Sequence, residues 1–186
     1  MSDVIDLSAA ERRMRGAVES VKHNFATIRT GRANPSLLDR IEVDAYGTRM
    51  PLRSVANVGA PEPRLLTVTP FDPNTLKNIE RAIGDSDIGL NPQNDGKMIR
   101  LPIPELTEER RKELIRVARH MAEEARVSVR NVRRDEMKDV HDLRKEGEIS
   151  QDDEHRAEDE LQKLTNDYIE RIDSILADKE SELLEV

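Results

Sequence analysis

The chain has 186 residues, of which 37% are charged and 36% hydrophobic, with no cysteine and only four aromatics, Phe25, Tyr46, Phe71 and Tyr168. A charged share above the usual value of about 25%, with so few aromatics, favours long solvated helices packed through aliphatic seams over a large aromatic core. The missing cysteines exclude a disulfide framework and a thiolate zinc site.

High charge with few aromatics also marks unfolded chains, but regular apolar spacing argues against disorder over most of the length. Met1 to Asp6 carries acids where a signal peptide would carry bases, and nothing approaches the roughly 20 apolar residues of a membrane span. A soluble, cytoplasmic protein with no membrane partner is expected. The formal net charge is −8. Residues 152–186 hold thirteen acids against four bases, while the rest of the chain holds 26 bases and 25 acids. Because the excess sits on one C-terminal segment, overall charge does not exclude an RNA partner.

The first predicted helix places Leu7, Ala10, Met14, Ala17, Val21, Phe25 and Ile28 at alternating steps of three and four. It opens with Ser8 and Glu11 in capping-box spacing. It should stop near Arg29, before Thr30-Gly31 and Asn34-Pro35. Residues 31–106 differ in kind and hold most of the glycines and prolines. Arg40 to Tyr46 alternates Ile41, Val43 and Ala45 with Glu42 and Asp44, and Tyr46-Gly47 offers a turn. Leu65 to Thr69 and Met98 to Ile103 are further strand candidates, and Thr75 to Ile83 reads as a short helix ended by Gly84.

The second long helix starts after Pro102 and Pro104, with Thr107 as N-cap and Glu108 and Glu109 complementing the helix dipole. Its seam runs Leu114, Ala118, Met121, Ala122, Ala125, Val129, Val132, Val140 and Leu143. At 1.5 Å each, about forty residues make a rod of roughly 60 Å. Gly147 marks its end and Ser150 the next cap. The third helix carries Leu161, Leu164, Tyr168, Ile172, Ile175 and Leu176, then Leu183 and Leu184. Three singly striped helices bury their seams best in a bundle. The expected fold is therefore α+β. Residues 1–30 and 106–186 form a long antiparallel three-helix bundle, and residues 31–105 form a small inserted α+β domain. Two short connections, Thr30-Gly31-Arg32 and Pro102 through Pro104 to Glu105, make a hinge. Gly31 is its least restricted residue.

Catalytic arrangements are missing. His23, His120, His141 and His155 are scattered, as solvated surface residues usually are. Neither a phosphate-cradling glycine loop nor a nucleophile elbow occurs. Asp85-Ser86-Asp87-Ile88-Gly89 lacks the later ligands of a calcium loop and reads as a polar turn. No enzyme activity, cofactor or metal is expected.

The second long helix carries more information. With residues placed about 100° apart, Arg119, Arg126, Arg130 and Arg133 share a sector of roughly 60°. Glu113, Glu124, Asp135 and Asp142 occupy another side, and the apolar seam a third. Two readings of the arginine stripe remain open: a solvated face with arginines paired to acids of neighbouring helices, or a ridge for RNA backbone. Arginine suits the second because its planar guanidinium grips phosphate oxygens bidentately. Scarce exposed aromatics argue for folded RNA read by shape over stacked single strands.

Several stretches resemble bacterial ribosome recycling factor. They are Ile28 to Ala33, Asp95 to Arg100, Leu106 to Arg111, Val127 to Asp135 and Asp178 to Leu183, in order along nearly the whole chain. The resemblance implies a three-helix bundle hinged to a small α+β domain, with an outline similar to transfer RNA. It also implies a factor that separates the subunits of a post-termination ribosome together with elongation factor G, which hydrolyses GTP. By matched position, Arg130 and Arg133 would hold RNA of the large ribosomal subunit, with Arg29 and Arg32 assisting near the hinge. Arg119 and Arg126 join them only through the helical projection. A monomer is expected. The competing readings are a coiled-coil adapter that recruits proteins without touching RNA and, least supported, a carboxylate hydrolase. Acids of the third helix such as Asp159, Glu170 and Asp173 either disfavour binding with the wrong face toward RNA or serve solubility alone.

Overall fold

The structure is a computed structural model and describes residues 5–185. In chain order its elements are α1 (Ser8–Ala26), β1 (Glu42–Ala45), β2 (Thr48–Pro51), α2 (Leu52–Val55), β3 (Ala56–Glu62), β4 (Leu65–Pro70), α3 (Leu76–Gly84), β5 (Gln93–Asn94), β6 (Ile99–Pro102), α4 (Glu108–Lys145) and α5 (Gln151–Leu184). Two compact units divide the chain. One contains 1–25 and 113–181; the other contains 26–112 and 182–186. Residues 1–4 and 186 lie outside the described set, and with them most of the acidic N-terminal stretch.

The first unit is built from α1, α4 and α5. Ala10, Met14, Val18, Val21 and Phe25 are buried on α1, and Leu114, Ala118, Ala122, Ala125, Val129, Val132 and Val140 on α4. Three of the buried α4 residues near its middle, Ala118, Ala122 and Ala125, are alanines. On α5, Leu161, Tyr168 and Ile172 are buried, joined by Ala157 and Thr165. The α1 seam differs from expectation in one place: Val18 is buried where Ala17 is half-buried, because the larger side chain gains more from leaving water.

The helix ends show how local sequence sets boundaries. The Thr107 hydroxyl accepts from Arg110 N–H at 3.1 Å, capping α4. Past its other end Gly147 takes φ +76. There Gly147 N–H donates to the Arg144 carbonyl and Glu148 N–H to the Leu143 carbonyl, the paired Schellman bonds that favour glycine at this point. Ser150 and Asp153 form a reciprocal capping box on α5: Asp153 N–H donates to the Ser150 hydroxyl, and the Asp153 carboxylate accepts from Ser150 N–H.

The capping box expected at Ser8 does not form. Ser8 N–H donates to Asp6 Oδ1 at 2.9 Å, while Glu11 accepts from the Tyr168 hydroxyl at 3.0 Å. Tyr168 is only 1% exposed, and a buried phenol needs a partner more than a helix end already served by Asp6 does.

The second unit has a four-stranded antiparallel sheet in the order β3-β4-β6-β5 and a β1-β2 hairpin. Tyr46 and Gly47, at φ 53 and 79, form the hairpin turn, where both central residues take positive φ. Leu66, Val68, Ile99 and Leu101 from the two central strands pack with Leu38, Val43, Leu52, Ile79 and Ile83 to make its core. Helix α3 is preceded by a one-turn segment capped by Asp72, whose side chain accepts from Asn74 N–H. Strands β2, β3 and β5 carry no clean alternation, and it is pairing with β1, β4 and β6 that makes them strands.

Candidate nucleic-acid interface

The four arginines of the α4 stripe flank its buried seam, and that position takes three of them to α5. Arg119 Nε donates to Glu180 at 2.6 Å. Seven residues on, Arg126 reaches Asp173 at 2.7 Å and Glu123 of its own helix at 2.9 Å. Arg130 shares Glu123 at 3.2 Å. Arg133 donates to Gln162 Oε1 at 2.7 Å. The paired-face reading therefore describes part of the stripe, and these side chains do not simply point away from the core. The Arg126 side chain is only 18% exposed, whereas that of Arg130 is 43% exposed.

The charges respond accordingly. The hydrogen bond from Arg119 to Glu180 pushes the arginine pKa up. Burial alone would pull Arg126 down, but Asp173 and Glu123 outweigh it and hold the guanidinium above its ordinary value. Hydrogen bonds from Arg126 and then Arg130 hold Glu123 below the usual carboxylate range. Toward Arg133 the carboxylate partners give way to an amide.

Arg29 and Arg32 lie in the other unit. Arg29 is half-buried, and its Nε is buried without a hydrogen-bond partner. Arg32 is ion-paired with Glu185. Around the expected hinge, Thr30 is buried and its hydroxyl accepts from Arg32 N–H at 3.2 Å. Gly31 does not use glycine's freedom: its φ is outside the left-handed region, and an added Cβ would meet nothing within 4 Å. On the return segment Ile103 N–H donates to the Arg64 carbonyl at 2.8 Å, and Arg64 pairs with Glu105. Both Pro102 and Pro104 are exposed.

Features unforeseen from sequence include Gln162 and Asn166, two amides on an acid-rich helix, and the buried carboxylate of Glu154. Glu154 pairs with Arg144 and with His141 Nδ1, the latter at 2.8 Å. His141 is thus engaged by a neighbouring helix, whereas His120 and His155 pair with Glu124 and Glu158 of their own helices. Among the described residues no group of three or more histidines and acids could hold a metal, and no helix is long and apolar enough to cross a membrane.

The family model described as Ribosome recycling factor matches residues 21–184. This chain belongs to the ribosome recycling factor family. It is 79% identical to the ribosome-recycling factor of Rubrobacter xylanophilus over 186 residues, covering all of both chains. It is 52% identical to that of a Methylobacterium species, over 97% of each. Two solved structures share the fold. One is a solution structure of the ribosome recycling factor with a TM-score of 0.81 at 40% identity, covering 100% of both chains. The other comes from models of the T. thermophilus ribosome recycling factor and E. coli elongation factor G bound to the E. coli post-termination complex. Its TM-score is 0.67 at 47% identity, over 96% of each chain. Members of the family are translation factors, so the α4 stripe belongs to a protein of the ribosome cycle.

Proposed function

We propose that this chain docks its α4 arginine stripe on RNA of the large ribosomal subunit and, with elongation factor G, separates the subunits of a post-termination ribosome. It acts as a monomer in the cytoplasm, without a cofactor and without catalysing a reaction itself; the partner hydrolyses GTP. Family membership supports the reading, as does the relative placed with elongation factor G on a post-termination complex.

The observation that carries it is the change of partners along α4. Arg119 and Arg126 are matched by α5 carboxylates, while among the described residues Arg133 meets an amide and no carboxylate. Positive charge is therefore least compensated at Arg133, where a phosphate gains most from an arginine fork; Arg130 shares the Glu123 carboxylate with Arg126. Arg29, with an unpartnered Nε, and Arg32 would assist.

Separation also needs one part to bind while another is moved. We assign these roles to residues 1–30 with 106–186 and to residues 31–105. Ala33 N–H and Ile103 N–H donate to the adjoining carbonyls of Pro63 and Arg64, so both connecting segments are fastened to one turn. That arrangement favours bending confined to the few torsions of Thr30, Gly31 and Arg32 and of Pro104 and Glu105.

Pelleting with large subunits at rising salt tests the RNA contact. Counterion release makes affinity fall steeply with salt, and Arg133→Ala should weaken binding by about 1–3 kcal/mol, Arg130→Ala by less. Salt-independent binding, undiminished in Arg133→Ala, favours the coiled-coil adapter and removes the RNA reading.

A further inference from the structure

The α4–α5 face changes character along its length. Helix α5 contains twelve acids but only three amides, Gln151, Gln162 and Asn166, and two of these amides sit together beside Arg133. Stepping along the face, Arg119 meets Glu180 and Arg126 meets Asp173. A further seven-residue step from Asp173 reaches Asn166, and one turn beyond it lies Gln162. Gln162 Nε2 donates to Asn166 Oδ1 at 2.8 Å, which leaves its carbonyl oxygen to accept from Arg133 at 2.7 Å. An amide nitrogen turned to Asn166 fixes which end of Gln162 faces the arginine.

We propose that Gln162, oriented by Asn166, is a positioning residue that aims Arg133 while leaving its positive charge uncompensated for a phosphate. This rests on the reading of Arg133 as an RNA contact. A carboxylate at 162 would hold the guanidinium in the same place but neutralise it, as Glu180 and Asp173 do for Arg119 and Arg126. An apolar residue would leave the charge and lose the aim. The neutral hydrogen-bond acceptor gives both, because it removes rotamer freedom before binding without supplying a competing anion. Arg133 thus differs from its stripe neighbours through a residue on another helix.

The test measures binding of the full chain to large ribosomal subunits across a salt series, for Gln162→Glu, Gln162→Ala, Arg133→Ala and the double variant Arg133→Ala/Gln162→Glu, with melting temperatures alongside. Gln162→Glu should bind about tenfold more weakly and lower the salt slope by about one, while melting at or above the parent temperature. In the Arg133→Ala background the same change should have less than about a twofold effect. Gln162→Ala should lose affinity severalfold with the parent salt slope retained.

A purely structural role for Gln162 would move stability and affinity down together and leave the slope alone; that result overturns the proposal. So does a Gln162→Glu effect of equal size with or without Arg133, which would reflect general repulsion, or normal binding by Gln162→Glu. In each of those cases weak binding by Arg133→Ala still leaves the RNA reading standing. Normal binding by Arg133→Ala removes both.

Discussion

The helical unit and the sheet unit solve the same burial problem by opposite means. In α1, α4 and α5 the buried residues recur every three or four positions along a single element, so each helix carries its own share of the core. In the sheet unit, β4 pairs with β3 on one side and with β6, more than thirty residues later, on the other. Leu66 and Val68 have a core only once Ile99 and Leu101 arrive. Charge follows the same division. Three stripe arginines of the helical unit, Arg119, Arg126 and Arg133, find partners along one helix, α5, whereas in the sheet unit Arg64 pairs with Glu105 and Arg53 with Asp39, each on a different segment. Regular elements repeat their interactions; irregular ones settle each residue separately.

The largest expected effect tests whether the two units are separate cooperative bodies. Val132, 5% exposed, and Leu101, fully buried, are matched probes. An unpaired carboxylate at either costs about 3–5 kcal/mol or more. Val132→Asp should abolish hydrogen-exchange protection in the helices and leave β4 and β6 protected, and Leu101→Asp should do the reverse. Joint loss of protection in both variants would show a single cooperative fold.

A smaller effect separates two glycines. Gly147, held at φ +76, should lose about 1–2 kcal/mol on Gly147→Ala. Gly31→Ala should be neutral or slightly stabilising in thermal melts, since its backbone angle and surroundings accept a side chain. Equal destabilisation would mean that Gly31 is held by the fold as tightly as a helix-ending glycine.

Acid titration compares the units next. Ser150 holds the Asp153 carboxylate below its ordinary 3.8, and Arg126 and Arg130 hold Glu123 below 4.5. In the sheet unit backbone N–H groups of Met98 and Lys97 depress Asp95, and that of Asn74, helped by Tyr46, depresses Asp72. A carboxylate with a lowered folded pKa stabilises above its unfolded value and loses that contribution as pH falls through the folded one. Both units should therefore lose stability below about pH 4. Glu136 runs the other way, because burial raises it and its share fades as pH rises through the folded value. Asp153→Asn should flatten the acid limb of the helical unit alone in circular dichroism and exchange experiments.

The smallest effect concerns the acidic helix. Asp173 already engages Arg126, so the steering reading is tested on Asp159→Asn with Glu170→Gln. Affinity for bulk RNA should rise about two- to threefold, in proportion to two removed charges at low salt, without faster subunit separation. Unchanged affinity would leave these acids with a solubility role only.

Much of this was legible in the residues. Leu114 to Val140 recur with helical period, Thr107 and Ser150 are short oxygen-bearing caps, and Gly147 is the residue that a left-handed helix end favours; each rests on interactions within a few positions. The arginine stripe was legible for the same reason, since residues 119, 126, 130 and 133 share a face of any α-helix. What the stripe meets was not. Glu180, Asp173 and Gln162 are 61, 47 and 29 residues away from their arginines. The diversion of Glu11 from a helix cap to the Tyr168 hydroxyl crosses 157 residues. β2, β3 and β5 are not legible in the residues because their partners, rather than an alternating pattern, make them strands.

By itself the sequence determined three amphipathic helices, their ends, an inserted α+β segment and a row of four arginines, because backbone geometry and side-chain period act locally. Only the tertiary structure decided which arginines of the row meet a carboxylate of α5 and which meets an amide. That depends on the register of α5 against α4, where an amide instead of a carboxylate at one position changes the charge without changing the helix.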